Sequence, residues 1–78
     1  MRILKLYKED CAPCEALTRR LNEADIEHDS LEVTASVAAD FGIRSVPTLI
    51  FIDDRGKIVD RLLGLVSIDQ IRSKLNDS

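Results

Sequence analysis

Two cysteines, Cys11 and Cys14, are the residues of this chain best suited to chemistry. They are its only cysteines, and Ala12 and Pro13 separate them. A pair with this spacing can interconvert between dithiol and disulfide, and so exchange two electrons with another thiol or disulfide. Ala12 and Pro13 would tune the potential of that exchange. The spacing therefore predicts a redox-active pair.

Two other roles for the pair are open from the spacing alone. A structural disulfide across about four residues would contribute about 2 kcal/mol before strain, and so small a loop ties no distant elements together. A structural zinc site usually needs four Cys or His ligands, and with His28, the only histidine, this chain offers at most three. Redox chemistry is the favoured interpretation, with zinc and an inert pair as alternatives. No metal and no separate cofactor is expected.

Size and composition limit the remaining possibilities. The chain has 78 residues, of which 45% are hydrophobic and 32% charged, with a formal net charge of -3. We expect one small domain over residues 1–78, which would bury roughly 60% of the surface of its unfolded chain. The acidic balance argues against a nucleic-acid partner. No apolar run suits a membrane span or a signal peptide, so we expect a reducing cytoplasm, where such cysteine pairs are typically catalytic or metal-binding. Nothing in the sequence indicates more than a monomer.

The cysteines follow a predicted strand and open a predicted helix. A run of large apolar residues just before them predicts a strand of about six residues. Pro13 suits the first turn of a helix, where its missing N–H would have had no partner. Cys14 begins an apolar stripe that continues at spacings of three and four through Leu17, Leu21 and Ala24. The other side chains of this helix are predicted to form a solvated face: Glu15, Thr18, Arg19, Asn22 and Glu23.

Periodicity and turn residues predict the rest of the fold. The predicted elements are a weak strand from His28 to Val33, a short helix ended by Gly42, a strand over Thr48–Ile52 that forms a hairpin with residues 57–63, and a helix capped by Ser67 and Gln70. Phe41 and Phe51 are predicted core residues. The order βαβαββα predicts an α/β fold, in which helices cover both faces of a four-stranded mixed sheet.

Two markers in register resemble the thioredoxin family. One is the cysteine pair at the start of the helix in a crossover unit. The other is the segment from Phe41 to Phe51, which is similar to the thioredoxin segment whose cis proline faces the active-site cysteines. The resemblance covers essentially the full chain, but the usual N-terminal strand and helix are lacking, so it is to a minimal thioredoxin of glutaredoxin-like size. It implies the thioredoxin fold and an enzyme that reduces protein disulfides.

The resemblance also implies a role for each matched position. Cys11 would be the exposed nucleophile and Cys14 the less exposed resolving thiol, which clears the mixed disulfide formed on Cys11. Unpaired N–H groups and the dipole at a helix N-terminus favour a thiolate at Cys11. Pro47 would follow a cis bond and leave the backbone of Val46 free to pair with an extended substrate. A proline that merely starts a strand is the alternative for Pro47.

The chain departs from the family pattern near the cysteines. Lys5 stands where thioredoxins usually carry a buried aspartate that serves proton transfer to the resolving thiol. Asp10 replaces the aromatic residue that normally precedes the first cysteine. Negative charge disfavours a thiolate, so we expect Glu9, Asp10 and Glu15 to offset part of the helix effect at Cys11. Lys5 and Asp10 are therefore predicted to modulate the site, with the proton route left open.

The electron donor and the class of function have alternatives as well. Glutaredoxins hold glutathione with a Gly-Gly-x-x-Asp type segment, whereas Leu63–Ser67 has a single glycine and no matching aspartate. This favours protein disulfides as substrates and a thioredoxin reductase-like donor over glutathione. Lys8, Arg44 and Arg61 could still bind glutathione, so a glutaredoxin is the first alternative. A non-catalytic binding module with the same fold is the second.

Overall fold

The computed structural model describes residues 1–76 and contains the predicted elements in the predicted order. They are β1 (Arg2–Tyr7), α1 (Ala12–Glu23), β2 (Asp29–Glu32), α2 (Ala35–Phe41), β3 (Thr48–Ile52), β4 (Ile58–Leu63) and α3 (Ile68–Asn76). β2 is shorter than predicted, because His28 and Val33 lie outside it. Within the described residues, none of the helices has the length and apolar character needed to cross a membrane.

The four strands form one mixed sheet in the order β2-β1-β3-β4. β1 and β2 are parallel and connected through α1, whereas β3 is antiparallel to both β1 and β4. Leu6 pairs with Thr48, which places the start of β3 beside the end of β1. The cysteine motif follows β1 and Pro47 precedes β3. The sheet topology therefore brings both segments to the same end of the sheet.

Apolar side chains are buried on both faces of the sheet. The cluster shared by the sheet, α1, α3 and the loop before α3 consists of Ile3, Leu17, Leu21, Leu49, Phe51, Val66 and Ile71. Leu6 and Ile50 point to the opposite face, since successive strand residues alternate, and both are fully buried. Burying one such side chain contributes about 1.5 to 3 kcal/mol relative to leaving it exposed. Phe41 was a predicted core residue, but at the end of α2 it is only half-buried.

The ends of two helices agree with the chemistry of their capping residues. α2 ends at Gly42, whose φ of 66° lies in the left-handed region that glycine adopts without a Cβ penalty. Before α3, the Ser67 N–H donates to Gln70 Oε1 at 3.0 Å, and the Gln70 N–H donates to Ser67 Oγ at 3.2 Å. This reciprocal pair is a capping box. Both predicted caps are confirmed.

Candidate active site

Cys11 and Cys14 lie at the start of α1 and are joined by a disulfide. Cys11 is the N-cap residue: its Sγ accepts a hydrogen bond from the Cys14 N–H at 3.2 Å, and its carbonyl oxygen accepts one from the Glu15 N–H at 3.1 Å. The sulfur therefore takes the place that a Ser or Asp oxygen usually has at a helix N-terminus. Backbone donors and the helix dipole both favour negative charge there.

Cys11 is less exposed than the sequence predicts. Its exposed fraction is 9%, against 3% for Cys14, so the order of the two is as expected but neither side chain is open to solvent. The reason is the N-cap geometry, because the Cys11 sulfur folds back over the helix start and bonds to Cys14. Ala12 and Pro13 are exposed between them. These two residues are the exposed part of the turn that the disulfide closes.

Pro47 and Val46 precede β3 at the end of the sheet that carries the cysteines. The peptide bond between them is cis, Pro47 is buried and Val46 is half-buried. The Pro47 carbonyl oxygen accepts a hydrogen bond from the Gly64 N–H at 2.9 Å, which ties this segment to the loop after β4. The pairing of β1 with β3 ends at Thr48, so Val46 lies beyond it. Pairing of Val46 with a substrate stays a prediction.

Lys5 is a buried basic residue beneath the start of α1. It lies on the same face of β1 as Ile3, and only 4% of it is exposed. Its Nζ donates a hydrogen bond to Thr18 Oγ1 and lies 5.8 Å from the centre of the Tyr7 ring. Burial lowers the pKa of the Lys5 ammonium, because the charged form loses hydration. The position that a buried aspartate usually has in thioredoxins is thus buried here too, with the opposite charge.

Thr18 connects Lys5 to the cysteine turn, and sequence reasoning missed this role. Thr18 Oγ1 accepts from Lys5 Nζ and donates to the Cys14 carbonyl oxygen at 3.1 Å. The prediction that Thr18 belongs to a solvated helix face is wrong, since it is half-buried. A signal was present in its spacing, because a threonine four residues after Cys14 can bond to that carbonyl.

A surface pocket of about 520 Å³ opens between the end of β1 and the first turns of α1. It is lined by Lys5, Tyr7, Lys8, Glu9, Asp10, Cys14, Glu15, Thr18 and Ser30. Three of the predicted site residues therefore meet here: Lys5, Asp10 and Cys14. Asp10 has a φ of 55°, a left-handed conformation that aspartate tolerates better than most residues. This backbone requirement is a physical reason for an aspartate at this position.

His28 lies away from this pocket. It is half-buried, and its Nδ1 is 3.1 Å from the Ile26 carbonyl oxygen. It lines a different depression together with Arg2 and Asp29. Among residues 1–76, no group of three or more His, Cys, Asp and Glu side chains is placed to hold a metal ion. His28 is thus not brought to the cysteines as a third ligand.

Comparison of the sequence with known proteins assigns the chain to a family. A family model described as a thioredoxin-like domain matches residues 3–78. The chain belongs to the thioredoxin-like family. Its sequence is 36% identical over 66 residues to the SPbeta prophage-derived thioredoxin-like protein YosR of Bacillus subtilis, a match that covers 82% of each chain. It is 32% identical over 81 residues to a thioredoxin of Chlamydia caviae, covering 95% of this chain and 78% of that one.

The thioredoxin-like fold is also found by structural comparison. Thioredoxin 1 of Thermosipho africanus has a TM-score of 0.76 at 22% sequence identity, covering 99% of this chain and 92% of that one. The predicted α/β class, with a mixed sheet and three helices, is confirmed. The chain has a thioredoxin-like oxidoreductase fold and carries a cysteine pair at the start of its first helix.

Proposed function

We propose that this protein reduces disulfides of other proteins through the dithiol form of Cys11 and Cys14. The main support is the position of the Cys11 sulfur, which caps a helix N-terminus in a thioredoxin-like fold and accepts the Cys14 N–H. Such a position lowers the free energy of a thiolate relative to the thiol. The thiolate is the nucleophile in thiol–disulfide exchange, so Cys11 is the attacking residue.

The reaction proceeds in two exchanges on the same pair. The Cys11 thiolate attacks one sulfur of the substrate disulfide, that bond breaks, and the other substrate sulfur leaves as a thiolate that takes a proton from solvent. Cys14 then loses its proton and attacks the Cys11 sulfur, which releases the second substrate thiolate. The substrate gains two electrons, and the pair ends as the disulfide described above. Cys14 is the less exposed sulfur, which suits an intramolecular role.

The substrate is an extended segment of another protein that lies along Val46 and over the exposed Ala12 and Pro13. The absence of Val46 from the pairing of β1 with β3 supports this role, because strand addition needs a backbone that the sheet does not already use. The protein works as a monomer in a reducing cytoplasm, without a bound cofactor. Its electrons come from a thioredoxin reductase-like enzyme, since the segment Leu63–Ser67 lacks the features of a glutathione site.

The electron donor can be tested by insulin reduction. One reaction contains the thioredoxin reductase of the same cell with NADPH, and a parallel reaction contains glutathione, glutathione reductase and NADPH. We expect turnover to be at least about tenfold faster with the thioredoxin reductase, because binding of the wrong donor lacks matched contacts. Turnover with glutathione and none with the thioredoxin reductase would instead assign the chain to the glutaredoxins.

Asp10 is proposed to make the Cys11 thiol less acidic than the helix start alone would. Its carboxylate is exposed and directly precedes the nucleophile. We expect the Asp10→Asn variant, in reduced form at low salt, to hold about two- to threefold more Cys11 thiolate at a pH below the titration midpoint. The measurement is the pH dependence of Cys11 alkylation. The difference should shrink as salt is added, because the charge is exposed.

Asp25→Asn is the matched control for this substitution. Asp25 is also exposed and left-handed, with a φ of 54°, but it lies beyond the other end of α1. Asparagine tolerates this conformation at both sites, so neither variant strains the backbone. We expect Asp25→Asn to leave the Cys11 midpoint where it is. An unchanged midpoint in Asp10→Asn, or an equal change in both variants, would show that Asp10 has no special role.

A further inference from the structure

Lys5 and Cys14 are two buried residues that line the same pocket beside the start of α1. Their exposed fractions are 4% and 3%. A single hydroxyl, Thr18 Oγ1, lies between Lys5 Nζ and the Cys14 carbonyl oxygen and is hydrogen-bonded to both. The pocket that both residues line opens to solvent beside the exposed Glu15. The ammonium is therefore linked through Thr18 to the backbone of the resolving cysteine, in a pocket that water can reach.

We propose that Lys5 is a positioning residue whose positive charge stabilises the Cys14 thiolate and so sets the pH at which the mixed disulfide is resolved. This deepens the proposed function and rests on it. A cation near a thiol favours the thiolate, and the effect is larger where burial reduces screening. The hydrogen bond to Thr18 holds the ammonium beside the turn of α1 that carries Cys14, because the same hydroxyl donates to the Cys14 carbonyl oxygen.

The other charged or titratable groups around Lys5 are less able to act on Cys14. The pocket contains Tyr7 from the end of β1, Lys8, Glu9 and Asp10 from the following loop, and Glu15 from α1. The last four are exposed, so solvent and salt screen them. On the neighbouring strands, Lys5 is paired with the uncharged Ser30 and Leu49. Among the charged residues that line the pocket, Lys5 is the buried one, so solvent and salt screen its charge least.

The proton path differs from one that uses an aspartate. A carboxylate can accept the Cys14 proton, whereas an ammonium cannot. In the inferred step the Cys14 proton passes to water in the pocket, and the thiolate attacks the Cys11 sulfur. The bond between Cys11 and the substrate sulfur breaks, and the substrate leaves as a thiolate that takes up a proton from solvent. Lys5 keeps its own proton and raises the population of the attacking thiolate.

The test is a titration of Cys14 alone. Cys11→Ser removes the other thiol and keeps a good N-cap residue, so Cys14 is the single sulfhydryl. Thiolate absorbance in the ultraviolet is followed against pH in this background, with and without Lys5→Met. We expect Lys5→Met to lower the fraction of Cys14 present as thiolate about tenfold at a pH below the midpoint, because the substitution removes one poorly screened positive charge. An unchanged or lower midpoint would overturn the proposal.

Lys8→Met is the matched control, since it removes an exposed lysine from the rim of the same pocket. Its effect on the Cys14 midpoint should be much smaller, and an equal effect would overturn the special role of Lys5. Lys5→Gln keeps a donor for Thr18 but no charge, so it should raise the midpoint as Lys5→Met does. A midpoint in Lys5→Gln equal to that of the parent would show that only the hydrogen bond matters, which contradicts the proposal.

Folding of the variants is checked by thermal unfolding at neutral pH. Lys5→Met is expected to be at least as stable as its parent, because it removes a buried charge. The lowered pKa of Lys5 means that folding favours the neutral amine, so this gain should be full below the folded pKa and decrease as pH rises from there towards the usual pKa of a lysine. If Lys5→Met does not fold, the comparison of Lys5→Gln with Lys8→Met decides. No substrate enters the titration, so a failure to reduce insulin would not be mistaken for a failure here.

Discussion

Replacing Cys14 with Ser is expected to leave the protein covalently attached to its substrate. The Cys14 side chain is buried, with an exposed fraction of 3%. Serine has nearly the same shape and fits the same space. Cys11 keeps its place at the N-cap and can still attack. The serine hydroxyl cannot complete the second exchange, so the mixed disulfide persists. We expect at least about tenfold more adduct than for the wild type after reaction with oxidised insulin.

The adduct is measured by mass spectrometry and on non-reducing gels, and a small dithiol should release it. Cys11→Ser is the matched control, because it also retains one cysteine of the pair. It should form little adduct, since its remaining sulfur is the less exposed one and lies one turn inside the helix. An adduct of equal yield through Cys14 in the Cys11→Ser variant would refute the assignment of attacker and resolver.

Features that depend on near neighbours in the sequence could be predicted well. The start of α1 follows from Pro13, and the end of α2 from Gly42. The capping box before α3 needs only Ser67 and Gln70. Each of these helix ends is set by a residue that suits the local backbone conformation, so it can be predicted without knowledge of tertiary contacts. The position of the cysteines at the start of a helix could be predicted for the same reason.

Features that depend on packing between distant elements could not be read in the same way. Lys5 interrupts the apolar pattern of β1, and its burial becomes evident only when α1 lies over that face. The periodicity of α1 puts Thr18 on its polar side, but the Thr18 hydroxyl accepts a hydrogen bond from Lys5 and donates one to the Cys14 carbonyl oxygen. The low exposure of Cys11 depends on how its sulfur folds over the helix start. The burial of Lys5 and Cys11 and the hydrogen bonds of Thr18 depend on the direction of each side chain and on where α1 packs against the sheet.

The charge at position 5 gives this site its individual character within the thioredoxin-like family. The fold and the cysteine pair agree with the family, but position 5 holds a buried ammonium where the resemblance to thioredoxins leads us to expect a carboxylate. Two hydrogen bonds through Thr18 connect that ammonium to the cysteine turn. The pH dependence of exchange in this protein should therefore follow from Lys5 and from the exposed carboxylates around Asp10, and it cannot be transferred from thioredoxins that carry an aspartate.

Replacing Cys11 with Ser is expected to abolish the reduction of protein disulfides. A serine hydroxyl stays protonated at neutral pH and does not exchange with disulfides, so the nucleophile is lost while the N-cap is kept. Loss of an essential nucleophile typically lowers catalysis by at least about a thousandfold. The Cys14 sulfur that remains is nearly inaccessible to an outside substrate.

The most direct measurement is the rate of insulin disulfide reduction by a small dithiol, with wild-type protein, with the Cys11→Ser variant and with no protein. Circular dichroism of the variant should match the wild type, which shows that the fold is intact. We expect the wild type to accelerate insulin precipitation and the variant to proceed at the rate of the dithiol alone. Equal rates for wild type and variant would contradict the enzymatic role of Cys11, and would favour a binding module built on the thioredoxin-like fold.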